Sequence, residues 1–107
     1  MVLTDEIVQI RDAIIEAIPV ETLYLFGSYA YGTPNANSDY DFYAVITDDT
    51  MQPFDAAVKA RQSLKKINRN TAVDILADSR SRFNERKQFN TLEQKVAREG
   101  IVLYERT

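Results

Sequence analysis

Three carboxylates and a glycine–serine turn are the residues of this chain with chemistry to offer. Ten residues separate Gly27-Ser28, in the stretch Gly27-Ser28-Tyr29-Ala30-Tyr31-Gly32, from Asp39 in Ser38-Asp39-Tyr40-Asp41-Phe42. Side chains alternate along an extended strand, so Asp39 and Asp41 take one face and Tyr40 and Phe42 the other. Two neighbouring carboxylates repel each other and resist burial. A hard divalent cation removes both problems, because it takes oxygen ligands of this kind. The Gly-Ser turn sets backbone N–H groups and a hydroxyl beside them, as a phosphate requires. Together these residues describe a site for a metal-bound nucleoside triphosphate.

Asp74 is the third carboxylate. Inside Val73-Asp74-Ile75-Leu76 it would be costly to bury without a partner. If its strand lies beside that of Asp41, Asp39, Asp41 and Asp74 form a cluster able to hold two magnesium ions about 4 Å apart. One ion would position and neutralise the triphosphate, and the other would lower the pKa of an attacking hydroxyl. Positioning and charge neutralisation carry most of such a transfer, so no histidine is required. Taken singly, each feature has a plainer reading: turn glycines, a helix-capping serine, loop aspartates, a hydrogen-bonded structural carboxylate. The ordered set is what points to catalysis.

The elements that must position these residues follow from periodicity. Thr4 can cap a first helix, with Asp5 and Glu6 in its first turn. Ile7, Ile10, Ile14 and Ile18 recur at helical spacing, widened by Val8 and Ile15, and Pro19 ends the element. Leu23-Tyr24-Leu25-Phe26 reads as a buried strand leading into the Gly-Ser turn. Residues 33–38 form a polar loop rich in turn formers. Tyr40 to Thr47 is a second strand, and Asp48-Asp49-Thr50 a turn whose acids are most simply solvated. A helix is expected from Pro53 or Phe54 to Ile67, with Ala57, Ala60, Leu64 and Ile67 near one face. Lys59, Arg61, Lys65, Lys66 and Arg69 supply its basic surface. Thr71 to Ala77 is a third strand. Ser79 can cap a helix over 80–89, and Thr91 another that ends at Gly100. Ile101-Val102-Leu103-Tyr104 is an edge strand or a docked tail. Strands interleaved with helices predict one α/β (α+β) two-layer domain over 1–107.

Composition narrows the classes. The chain has 107 residues, of which 45% are hydrophobic, enough for one core. It has no cysteine and no histidine, which excludes disulfides, thiolate metal sites and Ser–His or Cys–His nucleophiles. No signal peptide or membrane span is evident, so the expected compartment is the cytoplasm. A net charge of −3 speaks against general nucleic-acid binding. The charge is unevenly spread: up to Val58, Arg11 faces ten acids, and from Lys59 onward twelve Lys and Arg face six acids. An acidic metal pole opposite a cationic surface is one reading, and solvated helices are the other.

With Leu25-Phe26-Gly27-Ser28, Ala30, Gly32, Ser38-Asp39-Tyr40-Asp41-Phe42 and Val73-Asp74-Ile75 in place, the chain resembles the minimal nucleotidyltransferases (MNT) of the DNA polymerase β-like superfamily. This group is often found as antitoxins beside HEPN-domain toxins. The ending Arg98-Glu99-Gly100-Ile101-Val102-Leu103-Tyr104-Glu105 is also similar. The resemblance implies a short mixed sheet with helices mainly on one face and the metal cluster on the open side. It implies that Gly27 and Ser28 hold the triphosphate and that Asp39, Asp41 and Asp74 ligate magnesium, with Asp74 also acting on the incoming hydroxyl. It further implies transfer of AMP from ATP to a tyrosine of a HEPN toxin, held in a stable hetero-oligomer. One position departs: the family commonly has an arginine where this chain has Tyr31. A contact-only antitoxin that keeps the fold without the chemistry is the main alternative. A small-molecule adenylyltransferase is the other, although 107 residues leave no room for the helical domain that shapes its acceptor pocket. Tyr29 and Tyr31 are candidates to stack on a base or touch the partner, and Lys59, Arg61 or Lys65 to reach phosphates.

Overall fold

The computed structural model describes residues 3–106; the expected span of 1–107 extends past them at Met1, Val2 and Thr107. A helix α1 (Asp5–Ala17) leads into strand β1 (Val20–Phe26), a one-turn helix α2 (Ser28–Tyr31) and strand β2 (Tyr40–Ile46). Helix α3 (Pro53–Ser63) continues as a 3-10 turn over Leu64–Lys66 before strand β3 (Val73–Ser79). Helices α4 (Arg80–Arg86) and α5 (Leu92–Glu99) and strand β4 (Ile101–Glu105) complete the order. The sheet runs β3-β2-β1-β4. β1 pairs antiparallel with β2 and β4, whereas β2 and β3 are parallel. A parallel pair needs a long crossover, which α3 provides. The final apolar run is therefore a true edge strand, and the sheet has four strands and mixed polarity.

The helix boundaries follow local chemistry. The Thr4 hydroxyl accepts from the Ile7 amide at 3.1 Å, and Ser79 and Thr91 likewise accept from the Arg82 and Gln94 amides. Helix α1 ends one residue before Pro19 requires it to, with Ile18 already extended. Ile7, Ile10, Ile14 and Ile18 are all buried, as their spacing predicts. In α3 the buried small residue is Ala56, one position before the expected Ala57, together with Ala60 and Leu64. Helix α4 stops at Arg86, which leaves Phe89 in the connection to α5 and largely exposed.

The sheet separates two packed layers. Leu23, Leu25, Phe42, Ala44, Ile46 and Ile75 meet α1 and α3 on one face, in a core that also holds Ala56, Ala60 and Leu64. On the other face Tyr43 and Val45 join Phe83 of α4 and Val96 of α5, flanked by Tyr24 and Phe26. The larger helices thus lie on one face and two short ones cover part of the other.

Candidate active site

Alternation along β2 decides where the carboxylates fall. Tyr40, Phe42, Ala44 and Ile46 belong to the core beneath α1 and α3, so Asp41 shares its face with Tyr43 and Val45. The same parity on β3 sets Asp74 with Leu76 and Asp78, since Val73, Ile75 and Ala77 pack into the first core. The parallel register then pairs Asp41 directly with Asp74. Cα atoms of such neighbours are roughly 4.8 Å apart, the ordinary spacing of adjacent strands. The condition that the sequence left open, β3 beside β2, is met. Asp39 stands one residue before β2, exposed, and Asp41 is half-buried.

The turn arrives at the same place. Phe26, the last residue of β1, pairs with Asp41, so Gly27 emerges at the carboxylates. Gly27 has φ +77° and ψ −161°, a backbone region open to glycine and strained for other residues. A Cβ there would also collide with the Asp41 carboxylate. Ser28 opens α2, whose first N–H groups have no carbonyl one turn back. The Tyr31 amide closes the turn on the Gly27 carbonyl at 3.0 Å.

The electrostatics are those of crowded anions. Burial pushes the Asp41 carboxyl above its usual range, and the charges of Asp74 and Asp39 push it the same way. Among the described residues, no group of three or more His, Cys, Asp or Glu side chains is gathered as a ready metal cage. Three like charges spread apart unless a cation draws them in, and Asp39 and Asp74 are free to do so at the surface. The donor set is all hard oxygen, with Asp74 and Asp39 near enough for their charges to act on Asp41 and the Asp41 carboxylate seated where a side chain at residue 27 would stand. Those features suit magnesium.

A further carboxylate on this face was invisible to sequence reasoning. Glu93 stands in the first turn of α5, where an exposed acid would complement the helix dipole. It is instead buried, accepting from the Tyr43 hydroxyl at 2.8 Å and from Arg86 Nε at 3.0 Å. Burial pushes the Glu93 carboxyl up, but these two donors outweigh it and hold the group below its usual range. Burial and the nearby Glu93 push the Tyr43 hydroxyl strongly up, so it remains a donor. Asp48, expected in solvent, accepts from the amide and hydroxyl of Ser81 and so anchors the start of α4.

The other candidates sort by face. Tyr29 packs on Tyr40 with ring centroids 4.6 Å apart, toward the first core. Lys59, Arg61 and Lys65 are exposed on α3 and its 3-10 extension, across the sheet from Asp41 and Asp74. Tyr31 lies under the ammonium of Lys95, 5.0 Å from its ring centroid.

Comparison with known proteins bears on the fold that carries these residues. The family model described as Polymerase beta, Nucleotidyltransferase matches residues 8–107. A chain in the crystal structure of a toxin-antitoxin with AMP-PNP is 26% identical, with TM-score 0.60 over 97% of this chain and 76% of that one. A chain in a toxin-antitoxin MntA-HpeT structure carrying two aspartate-to-glutamate substitutions is 25% identical, with TM-score 0.62 over 97% and 76%. A Sulfolobus solfataricus protein, 19% identical with TM-score 0.57 over 92% and 76%, shares the fold alone. No curated protein matches the chain.

Proposed function

Because the chain belongs to the polymerase β nucleotidyltransferase family, we propose that it transfers AMP from ATP to a hydroxyl, with magnesium, as the antitoxin of a toxin–antitoxin pair. The acceptor in this reading is a tyrosine of a HEPN-type toxin, bound in a hetero-oligomer in the cytoplasm, and one domain spans 1–107. The observation that carries it is the register pairing of Asp41 with Asp74 beside a glycine that leaves room for nothing but the Asp41 carboxylate.

The placement supports these roles. Gly27 and Ser28 bind the triphosphate through backbone N–H groups and the serine hydroxyl. Asp39, Asp41 and Asp74 would hold magnesium, which when bound would neutralise phosphate charge and acidify the acceptor hydroxyl. Asp74 takes the hydroxyl proton as the acceptor oxygen bonds to the α-phosphorus. The bond to the β-phosphate oxygen breaks, and pyrophosphate leaves. Two surface concavities, one of about 490 Å³ between α1 and the end of α3 and one at the start of α3, do not include the three aspartates. An open carboxylate face suits an acceptor side chain carried by another protein. The likeness to toxin-antitoxin chains supports the partner class. A contact-only antitoxin is the second reading, favoured by Tyr31 standing where such proteins commonly have an arginine.

The test is the intact mass of the neighbouring gene's product after incubation with this protein, ATP and magnesium. An added AMP that disappears with the Asp39→Asn, Asp41→Asn double variant supports the enzyme. An unchanged mass within a stable complex would sink it and favour contact alone.

A further inference from the structure

The proposed reaction sets a charge problem that the turn's own element does not solve. Three carboxylates and a triphosphate outweigh two divalent ions. From Thr4 to Val58 the one basic residue is Arg11, and its Nε is 3.0 Å from Asp12 on α1. Any cation for the phosphates must therefore come from the second half of the chain. Most of that half is engaged or misplaced. Arg80 pairs with Glu21 and Asp48, Arg82 with Asp78, and Arg86 with Glu93. The cations of α3 lie across the sheet.

Among the described residues Lys87 and Arg98 also lack a carboxylate partner, but Lys87 lies over Phe83 in the middle of the face, whereas Lys95 lies on a residue of the turn itself. Its helix packs at the end of β1, where Val96 clusters with Tyr24 and Phe26. The next strand pairs Ile101 with Leu25, two residues before Gly27. Glu93, locked to Tyr43 and Arg86, fixes the rotation of α5 two residues before Lys95. The ammonium lies over the ring of Tyr31, the residue that closes the one-turn helix begun by Ser28. Among the described residues it has no carboxylate within 4.0 Å. A cation held on an aromatic face keeps its charge available, because the ring attracts it without neutralising it.

We propose that Lys95 is the phosphate-contacting cation of this site and that the Tyr31 ring positions it. This rests on the reading of Gly27-Ser28 as the triphosphate turn. A lysine ammonium is suited to the task as a mobile point charge that can leave the ring for a phosphate oxygen.

The experiment is a calorimetric titration of the β,γ-imido analogue of ATP, and of AMP, into the protein with magnesium. The variants are Lys95→Ala, Lys95→Arg, Tyr31→Phe, Tyr31→Leu and Lys59→Ala. Lys95→Ala should weaken triphosphate binding about tenfold, the scale of one charge-assisted hydrogen bond, and leave AMP binding unchanged. Lys95→Arg should restore most of it. Tyr31→Phe should bind as the parent and Tyr31→Leu roughly threefold more weakly, since the ring and not its hydroxyl holds the ammonium. Lys59→Ala, across the sheet, should change nothing. Equal triphosphate binding by the parent and Lys95→Ala would overturn the role of Lys95 while leaving the nucleotidyltransferase reading intact. So would equal weakening for AMP and the triphosphate. No binding of either nucleotide by the parent would overturn the functional reading itself, and the inference with it.

Discussion

The two faces of the sheet are built from one set of strands and have opposite characters. Beneath α1 and α3, every inward position of β1 and β2 is apolar, and Leu23, Leu25, Phe42, Ala44 and Ile46 are wholly removed from solvent. Beneath α4 and α5 the same strands present Tyr24, Phe26, Asp41, Tyr43 and Val45, and β3 adds Asp74, Leu76 and Asp78. Aromatic rings fill the middle of that face, with Phe83 5.2 Å from Tyr43 and 5.6 Å from Tyr24 between centroids. Toward the start of β2 the cover ends and the carboxylates begin. One face does the work of folding, at apolar density. The other is packed only as far as is needed to leave a polar rim open. A chain this small can tolerate repelling carboxylates because they cost little where water still reaches them.

The division can be broken most severely from the buried side. Phe42→Ala removes a fully buried ring and should cost about 3–5 kcal/mol of stability. Chemical denaturation would measure this, with transfer per folded molecule nearly unchanged. A variant that stayed stable would mean that the first core is not the main source of folding energy. On the open side the signs reverse. Asp41→Asn should lower transfer by roughly 10²–10³-fold, about 3–4 kcal/mol of barrier. Its melting temperature should hold or rise, because one of three mutually repelling charges is gone. A fall in melting temperature would show that the carboxylate is structural.

Gly27→Ala sharpens the boundary between the faces. The added methyl meets the Asp41 carboxylate and the backbone is held at φ +77°, so a loss of about 1–3 kcal/mol is expected. Transfer should fall with it, as a coupled melt and rate measurement would reveal. The smallest effect concerns Glu93. Its folded pKa lies below the ordinary 4.5, so its contribution to stability is present above the unfolded value and is lost as pH falls through the folded one. Glu93→Gln should cost about 1–2 kcal/mol at neutral pH and flatten the fall in stability below about pH 4.5. An unchanged acid limb would assign that slope to other carboxylates.

Much of this was legible from short stretches of chain. The isoleucines of α1, the caps Thr4, Ser79 and Thr91, the alternation through Tyr40-Asp41-Phe42 and the glycine of the turn each act within a few residues. Their outcome depends on local geometry that neighbours in sequence already set. The parity of Asp41 and of Asp74 along their strands belongs to this class. Errors were local as well: Ala57 for Ala56 is one position on a helix whose burial is settled by the neighbour it meets.

What only the tertiary structure decided is non-local. The pairing of Asp41 with Asp74 depends on β3 lying beside β2 across a crossover of more than twenty residues. The remoteness of Lys59, Arg61 and Lys65 depends on which face α3 covers. The burial of Glu93 depends on a tyrosine fifty residues earlier in the chain. Lys95 reaches the turn because α5 docks at the end of β1. Each is a choice of partner made by hydrophobic burial, which is non-directional and leaves no periodic mark in the residues it brings together.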